Sequence, residues 1–233
     1  MDLKIKDVAE LLSVSETTIR RWLFDGKIPA YKLNHQYRFS RIEIENWMMS
    51  SKMEQDKGFS SFAEEEAPLP KTGTQQFSLF RAIHKGDVLF DVQGDNKEEV
   101  IHNCMKLVAP KLGLDVEVLV ELLMDRERLM STALSHGIAV PHPREFIVKG
   151  PFDQVVVAFL DKPIDFDSLD GSPVHTMFFL FSSQDKRHLH LLSKIAHLSS
   201  SSHLLEQLRV ASSKEEVLAL VKEWEGKAFS SND

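Results

Sequence analysis

Arg126-Glu127-Arg128-Leu129-Met130-Ser131-Thr132-Ala133-Leu134-Ser135-His136-Gly137-Ile138-Ala139-Val140-Pro141-His142-Pro143-Arg144 is the stretch from which the rest of the chain can be read. Gly137 to Pro141 is a short apolar run that delivers His142 between two prolines, where the backbone is locked on both sides. Pro143 has no N–H to offer a ladder and so ends a strand. The pattern predicts a rigidly held imidazole at a sheet edge or rim, exposed enough to meet a reagent. With an unperturbed pKa of about 6.5, such an imidazole carries a free lone pair at cellular pH and suits nucleophilic attack.

Around this stretch lie 233 residues, 42% of them hydrophobic, enough for one sizeable core or two smaller ones. No apolar run approaches the roughly 20 residues of a membrane helix, and Met1-Asp2-Leu3-Lys4 does not open a signal peptide. The expectation is a soluble, cytoplasmic protein without membrane insertion. Cys104 is the single cysteine, which excludes an internal disulfide. Its place in Val100-Ile101-x-x-Cys104-x-x-Leu107-Val108 is helical spacing on an apolar face, so it reads as a small buried hydrophobe.

Residues 1–50 read as a small helix-turn-helix unit. Ile5, Val8, Ala9, Leu11 and Leu12 give a first helix its apolar face, Ser13-Val14-Ser15 turns the chain, and Ser15 caps a second helix with Val14 stapling toward Ile19. That helix runs through Thr17, Arg20, Arg21 and Trp22 and stops at Gly26. Two extended runs, Ile28 to Leu33 and Tyr37 to Phe39, flank Asn34-His35-Gln36 as a hairpin, or wing. Ser40-Arg41-Ile42-Glu43 then reads as a capping box for a third helix through Ile44, Trp47 and Met48.

The order resembles the excisionase-like branch of winged helix-turn-helix domains. Ala9-Glu10-Leu11-Leu12-x-Val14-Ser15-x-x-Thr18-Ile19-x-Arg21-Trp22 and Gly26-Lys27-Ile28-Pro29-Ala30 carry the match. The resemblance implies that Glu16, Thr17, Thr18, Arg20 and Arg21 face DNA, with Lys32, His35, Tyr37 and Arg38 of the wing in support. The charge is modest for that role. Eight Lys/Arg against seven Asp/Glu leave residues 1–50 at +1 within a chain of net charge −7. Weak DNA affinity per monomer is expected, and a module kept for protein contacts alone is the competing reading.

Residues 51–75, with Glu64-Glu65-Glu66 and Pro68-Leu69-Pro70-Lys71-Thr72-Gly73, have the composition of a solvated linker, which suggests two modules tethered rather than fused. A second domain over 76–229 alternates helix and strand patterns. Asn96 or Lys97 opens a helix with a Val100, Cys104 and Leu107 stripe, ended by Pro110 and Gly113; Asp115 caps another, with Leu119, Leu122 and Leu123 inward, that delivers Arg126. Gln154 to Leu160 and Val174 to Phe181 are near-continuous apolar runs, as in strands covered on both faces. Ser213-Lys214-Glu215-Glu216 caps a last helix carrying Val217, Leu220, Val221 and Trp224. The fold class is α/β, a mixed β-sheet flanked by helices, preceded by the small winged module.

This second domain resembles the mannitol/fructose class of enzyme IIA domains of the bacterial phosphotransferase system, including their nitrogen-regulatory relatives. The likeness rests on the Arg-Glu…Ser-Thr…Gly-Ile-Ala-Val-Pro-His run, on Pro163 to Asp167, on Asp170 to Val174 and on His188-Leu189, over roughly residues 76–226. It implies a phosphoryl relay: His142 takes a phosphoryl group from the phosphorylated carrier protein, with Arg126 and His188 beside it and the Ser131 and Thr132 hydroxyls on the phosphate. A forked guanidinium suits phosphate oxygens as lysine does not. Ala133, Ser135 and His136 stand where regulatory relatives often have a glycine-rich stretch, and His136 is read as exposed rather than tuning the acceptor.

The intact Arg126, His142 and His188 set, without an attached cysteine domain, favours a regulatory role linked to DNA binding. The alternatives are a transcriptional regulator whose second domain is a sensor or docking module, and a sugar-uptake component that passes phosphate to a sugar-specific enzyme IIB. No cofactor is expected. A metal on His136, His142 and His188 is disfavoured, because local ligand pairs are missing and Arg126 would repel a cation.

Overall fold

The computed structural model describes residues 2–12, 14–51, 78–148 and 153–230. Ser13, and the segment read as a linker from residue 52 onward, lie outside the described residues.

In the N-terminal module, β1 (Asp2–Leu3) leads into α1 (Ile5–Leu12), α2 (Glu16–Phe24), β2 (Tyr31–Leu33), β3 (Gln36–Ser40) and α3 (Arg41–Ser51). Val8, Ala9 and Leu11 are buried on α1, and the Ser15 hydroxyl caps α2 by accepting from the Thr18 N–H at 3.0 Å. The hairpin turns on Asn34 and His35, both at positive φ (47° and 64°), as a two-residue turn that matches strand twist requires. Strand β3 pairs antiparallel with both β1 and β2.

The larger domain runs α4 (Leu79–Lys85), β4 (Val88–Val92), α5 (Lys97–Leu112), α6 (Val116–Glu127), β5 (Ile138–Ala139), β6 (Gln154–Ile164), β7 (Val174–Phe181), α7 (Asp185–Leu198), α8 (Ser202–Val210) and α9 (Lys214–Ser230). Its sheet has the order β4-β6-β7-β5; β6 and β7 are antiparallel, whereas β4 on β6 and β5 on β7 are parallel.

The apolar runs of β6 and β7 are explained by what each face meets. Val155, Val157, Phe178 and Leu180 point into a cluster with Leu189, Leu192 and Ile195 of α7. Val156, Ala158, Met177 and Phe179 point into another with Val100 and Cys104 of α5 and Leu119 and Leu123 of α6. Side chains alternate across a strand, so a strand with helices on both faces reads as a near-continuous apolar run, as from Val155 to Ala158 and from Met177 to Phe181. Burial of several such side chains at about 1.5–3 kcal/mol each makes this sheet the rigid base of the domain.

Helix caps fall where the side chains place them. Asn96 Oδ1 accepts from the Glu99 N–H, Asp115 Oδ1 from the N–H groups of Glu117 and Val118, and Ser213 Oγ from the Glu216 N–H. Glu216 reaches back to the Ser212 N–H, one residue earlier than a capping box on Ser213 requires. Two expectations are corrected. Pro110 lies inside α5, which ends at Gly113 in the left-handed region (φ 68°), and Leu107 is 54% exposed rather than part of the buried stripe. Cys104 is fully buried, and burial pushes its thiol up to about 12.

The modules are also more than tethered. One apolar cluster runs without a break from Val8 and Leu11 of α1 to Leu189, Leu191 and Leu192 of α7, because α1 and α3 both pack on α7. Linker composition reports on the linker alone and says nothing of whether the units it joins present complementary faces.

Candidate functional site

Edge strand β5 pairs with β7 at Ile138↔Thr176 and Ala139↔Met177, and the Leu180 N–H donates to the Pro141 carbonyl at 3.1 Å. These bonds carry the chain straight along β7 to His142. The approach loop is fixed from the other side: the Val140 N–H donates to the Thr132 carbonyl, and the Leu134 N–H to the Ile138 carbonyl. Gly137 makes the turn possible at φ 73°, where a Cβ would stand 2.5 Å from the His175 ring.

His142 Nδ1 lies 2.8 Å from the Val140 carbonyl oxygen. A carbonyl only accepts, so Nδ1 carries the proton and Nε2 keeps the lone pair. Arg126, at the end of α6, donates Nε–H to that Nε2 at 3.2 Å and Nη1–H to the Met130 carbonyl at 3.0 Å. His188, in the first turn of α7, sets its ring 4.8 Å from that of His142, centroid to centroid and edge-on, with Nδ1 3.2 Å from Ser182 Oγ. The structure therefore brings Arg126, His142 and His188 together.

The hydroxyls of Ser131 and Thr132 are engaged elsewhere than at the imidazole. Ser131 Oγ donates to the Phe166 carbonyl at 2.8 Å, and Thr132 Oγ1 donates to Glu127 Oε2 at 2.7 Å beside its own N–H at 3.0 Å. Both hydroxyls brace the loop behind the site. His136 is exposed at positive φ (64°), its N–H held by Asp170, away from the cluster. Arg144 is exposed, with its carbonyl accepting from Arg41 Nη1 at 3.4 Å.

The expected exposure of His142 does not hold: its relative exposure is 0%. The cover is α3 of the N-terminal module, which sequence reasoning missed. Glu45, itself 2% exposed, puts Oε1 3.0 Å from His188 Nε2 and Oε2 3.8 Å from His142 Nε2. His188 Nε2 makes no well-formed hydrogen bond there, so the contact is a close polar approach. Arg41 Nε holds Glu45 Oε1 at 2.5 Å and Nη1 reaches Asp185 at 3.2 Å, while Asn46 Oδ1 accepts from Arg126 Nη2 at 3.4 Å. Between Arg41, Ile42, Glu45, Asn46, Arg126, Leu129 and Arg144 a small cleft of about 30 Å³ is left.

Burial pushes the Glu45 carboxyl up, but its interactions with His142 and His188 outweigh this and hold it well below the ordinary carboxylate range. Burial pushes the His188 imidazole down to about 4, against the opposing pull of Glu45. Burial likewise lowers Arg126, from so high a start that the guanidinium stays charged. Ligand atoms of Glu45, His142 and His188 lie within 4.8 Å of one another, a spacing that a metal ion also uses. A cation there would face Arg126 on one of its own ligands and Arg41 on another, so the arrangement suits an anion.

The nine residues read as DNA-facing are divided between α2 and the hairpin. Thr17, Arg20, Arg21, Lys32, His35 and Tyr37 are exposed, and Glu16, Thr18 and Arg38 are half-buried. Glu16 pairs with Arg20 at 2.9 Å, and Arg38 Nη2 donates to Gln36 at 2.7 Å. Six of the nine are thus open to solvent.

Comparison with known families decides what this imidazole site belongs to. The family described as "Phosphoenolpyruvate-dependent sugar phosphotransferase system, EIIA 2" matches residues 81–224. The chain belongs to this family. A helix-turn-helix domain family matches residues 3–52, ahead of the EIIA domain. The nitrogen regulatory protein of Pseudomonas aeruginosa is 36% identical over 146 residues, 61% of this chain and 94% of that one. The Escherichia coli K12 protein of the same name is 33% identical over 141 residues, 58% and 83% of the two chains. The crystal structure of nitrogen regulatory protein IIA-Ntr from Neisseria meningitidis covers 64% of this chain and 97% of its own, at 29% identity and a TM-score of 0.53. The expected mixed-sheet EIIA fold and helix-turn-helix module are both present. Among the described residues, no helix is long and apolar enough to cross a membrane.

Proposed function

We propose that His142 accepts a phosphoryl group on Nε2 from the phosphorylated carrier protein of the phosphotransferase system and that the phosphorylation state of the EIIA domain regulates partners. The observation that carries this is the pairing of Nδ1–H with the Val140 carbonyl, which leaves the Nε2 lone pair directed at Arg126 and beside His188.

The step balances simply. The Nε2 lone pair forms a P–N bond as the donor's own P–N bond breaks, and the donor ring, already protonated on its other nitrogen, leaves with the electron pair as a neutral imidazole. Nδ1–H stays on His142, donating to Val140, so the ring turns cationic as it bonds to phosphorus and the carbonyl dipole offsets that charge. The protein contributes in-line placement and stabilisation of the three non-bridging oxygens, for which the Arg126 guanidinium has the right fork. The neutral His188 imidazole supplies a hydrogen-bond donor without a competing charge.

Kinship with nitrogen regulatory proteins supports a regulatory output in preference to sugar uptake through an enzyme IIB. The solvent-facing α2 and hairpin support a second reading, a transcriptional regulator that binds DNA directly. Intact-mass analysis after incubation with phosphorylated carrier is expected to give one acid-labile phosphoryl adduct on the full chain and none on His142→Ala. Equal labelling of both would move the acceptor elsewhere. A gel shift of the full chain at several salt concentrations tests the second reading, since phosphate contacts give a steep salt slope.

A further inference from the structure

We infer that the phosphoacceptor cleft has a ligand supplied by the chain itself: the Glu45 carboxylate on α3 stands where a phosphoryl group's oxygens belong, so docking of the N-terminal module and phosphorylation of His142 exclude each other. The inference rests on the proposed role of His142 and adds its regulation.

Three observations converge on it. First, position: the Glu45 oxygens lie 3.8 Å from His142 Nε2 and 3.0 Å from His188 Nε2, against the same two rings that would flank a transferred phosphoryl. Second, closure: His142 is fully buried, and only a small cleft of about 30 Å³ remains beside Arg126, so a donor's side chain has no approach to the ring while α3 is seated. Third, anchorage: Arg41 reaches across to Asp185, Arg126 reaches back to Asn46, and Lys186 pairs with Glu10 of α1 at 2.6 Å. The polar contacts of α3 are thus made by residues next to the chemistry, while α1 adds the Glu10 pair and its apolar packing on α7.

A phosphoryl group on Nε2 brings about −1.5 to −2 charges beside an ionised carboxylate. It also claims the Arg126 fork that α3 now shares. Both effects act against the docked state, whereas the docked state satisfies the cationic cleft with a carboxylate and shields the imidazole. The outward-facing α2 is free of this contact in the docked form, so what phosphorylation changes is the attachment of the module to the EIIA domain.

The test compares the full wild-type chain with Glu45→Gln, and with Glu10→Lys, which reverses a partly exposed charge away from the chemistry and does not depend on a buried substitution folding. Labelling of His142 by phosphorylated carrier is followed by rapid quench, and the radius of gyration is measured by small-angle scattering before and after labelling. Both variants are expected to label on the order of tenfold faster or more, reflecting the larger fraction of chains with an open site, and the wild type is expected to expand on labelling. Normal labelling at one rate in all three chains, or a labelled wild type as compact as the unlabelled, overturns the inference and leaves the proposed function standing. No label on His142 in any chain removes the proposed function and this inference together.

Discussion

Replacing Arg126 with lysine separates charge from shape at the proposed phosphoacceptor, His142. The guanidinium makes three donations, to His142 Nε2 at 3.2 Å, to the Met130 carbonyl at 3.0 Å and to Asn46 at 3.4 Å. Lysine keeps the positive charge and can still reach one acceptor, but it has no fork to hold two phosphate oxygens at once. At least one charge-assisted hydrogen bond to the transferring group is lost, and such bonds contribute about 1.5–3 kcal/mol. At 1.36 kcal/mol per tenfold, the labelling rate should fall roughly 10- to 150-fold. Because Nη2 also touches α3, the substitution loosens the module as well, which would raise the rate and mask the loss. The comparison therefore belongs in the Glu10→Lys background, where docking is already weakened. Rapid-quench labelling by phosphorylated carrier is the assay, with circular dichroism to confirm folding. An unchanged rate for Arg126→Lys in that background would refute the assignment of the fork to the transition state.

Acidification should destabilise the chain. His188 is depressed to about 4 in the folded state against an ordinary value near 6.5, so between these the unfolded chain binds a proton that the folded chain does not, and stability falls as pH falls, by up to about 1.4 kcal/mol per pH unit. Glu45, depressed below the ordinary carboxylate value, adds loss of the same sign at still lower pH, and His190, likewise depressed to about 4, acts in the same direction as His188. Urea denaturation at several pH values from 7 to 4.5 measures this; a flat profile, or one unchanged in His188→Gln, contradicts it. Thr132→Val removes one of two hydrogen bonds to the buried Glu127 carboxylate and should cost about 1.5–3 kcal/mol of stability with little change in labelling of the folded protein. A slower label at unchanged stability would instead mean that Thr132 holds phosphate.

The parts of this molecule that follow local rules could be read from the sequence. Asn96, Asp115 and Ser15 cap helices because a short polar side chain reaches the N–H groups of the next turn wherever the fold puts it. Arg126, His142 and His188 converge as their motifs imply, since both helix ends and the edge strand are held by one sheet. What local pattern cannot carry is the partner of an element. Glu45 carried no signal in the sequence: four residues after Arg41 on a helix, its spacing alone supports no more than a local ion pair, and only the packing of α3 on α7 turns that pair into a lid. The same blindness explains the wrong exposure of His142, whose rim position is real but covered from another module. Motif position named Ser131 and Thr132 without saying where their hydroxyls point. Strand β4 escaped notice because it is short, lies on the sheet edge and is interrupted by Asp91 at positive φ.

The apolar cluster that passes unbroken from α1 into α7 bears on how this protein should be cut. A fragment beginning at residue 78 would uncover His142 and also expose the greasy flank of α7, so measurements on it would describe an uncovered site on a domain prone to self-association. The matching fragment of the N-terminal half would carry the complementary bare flank. Measurements intended to describe this chain are therefore best made with both halves covalently present.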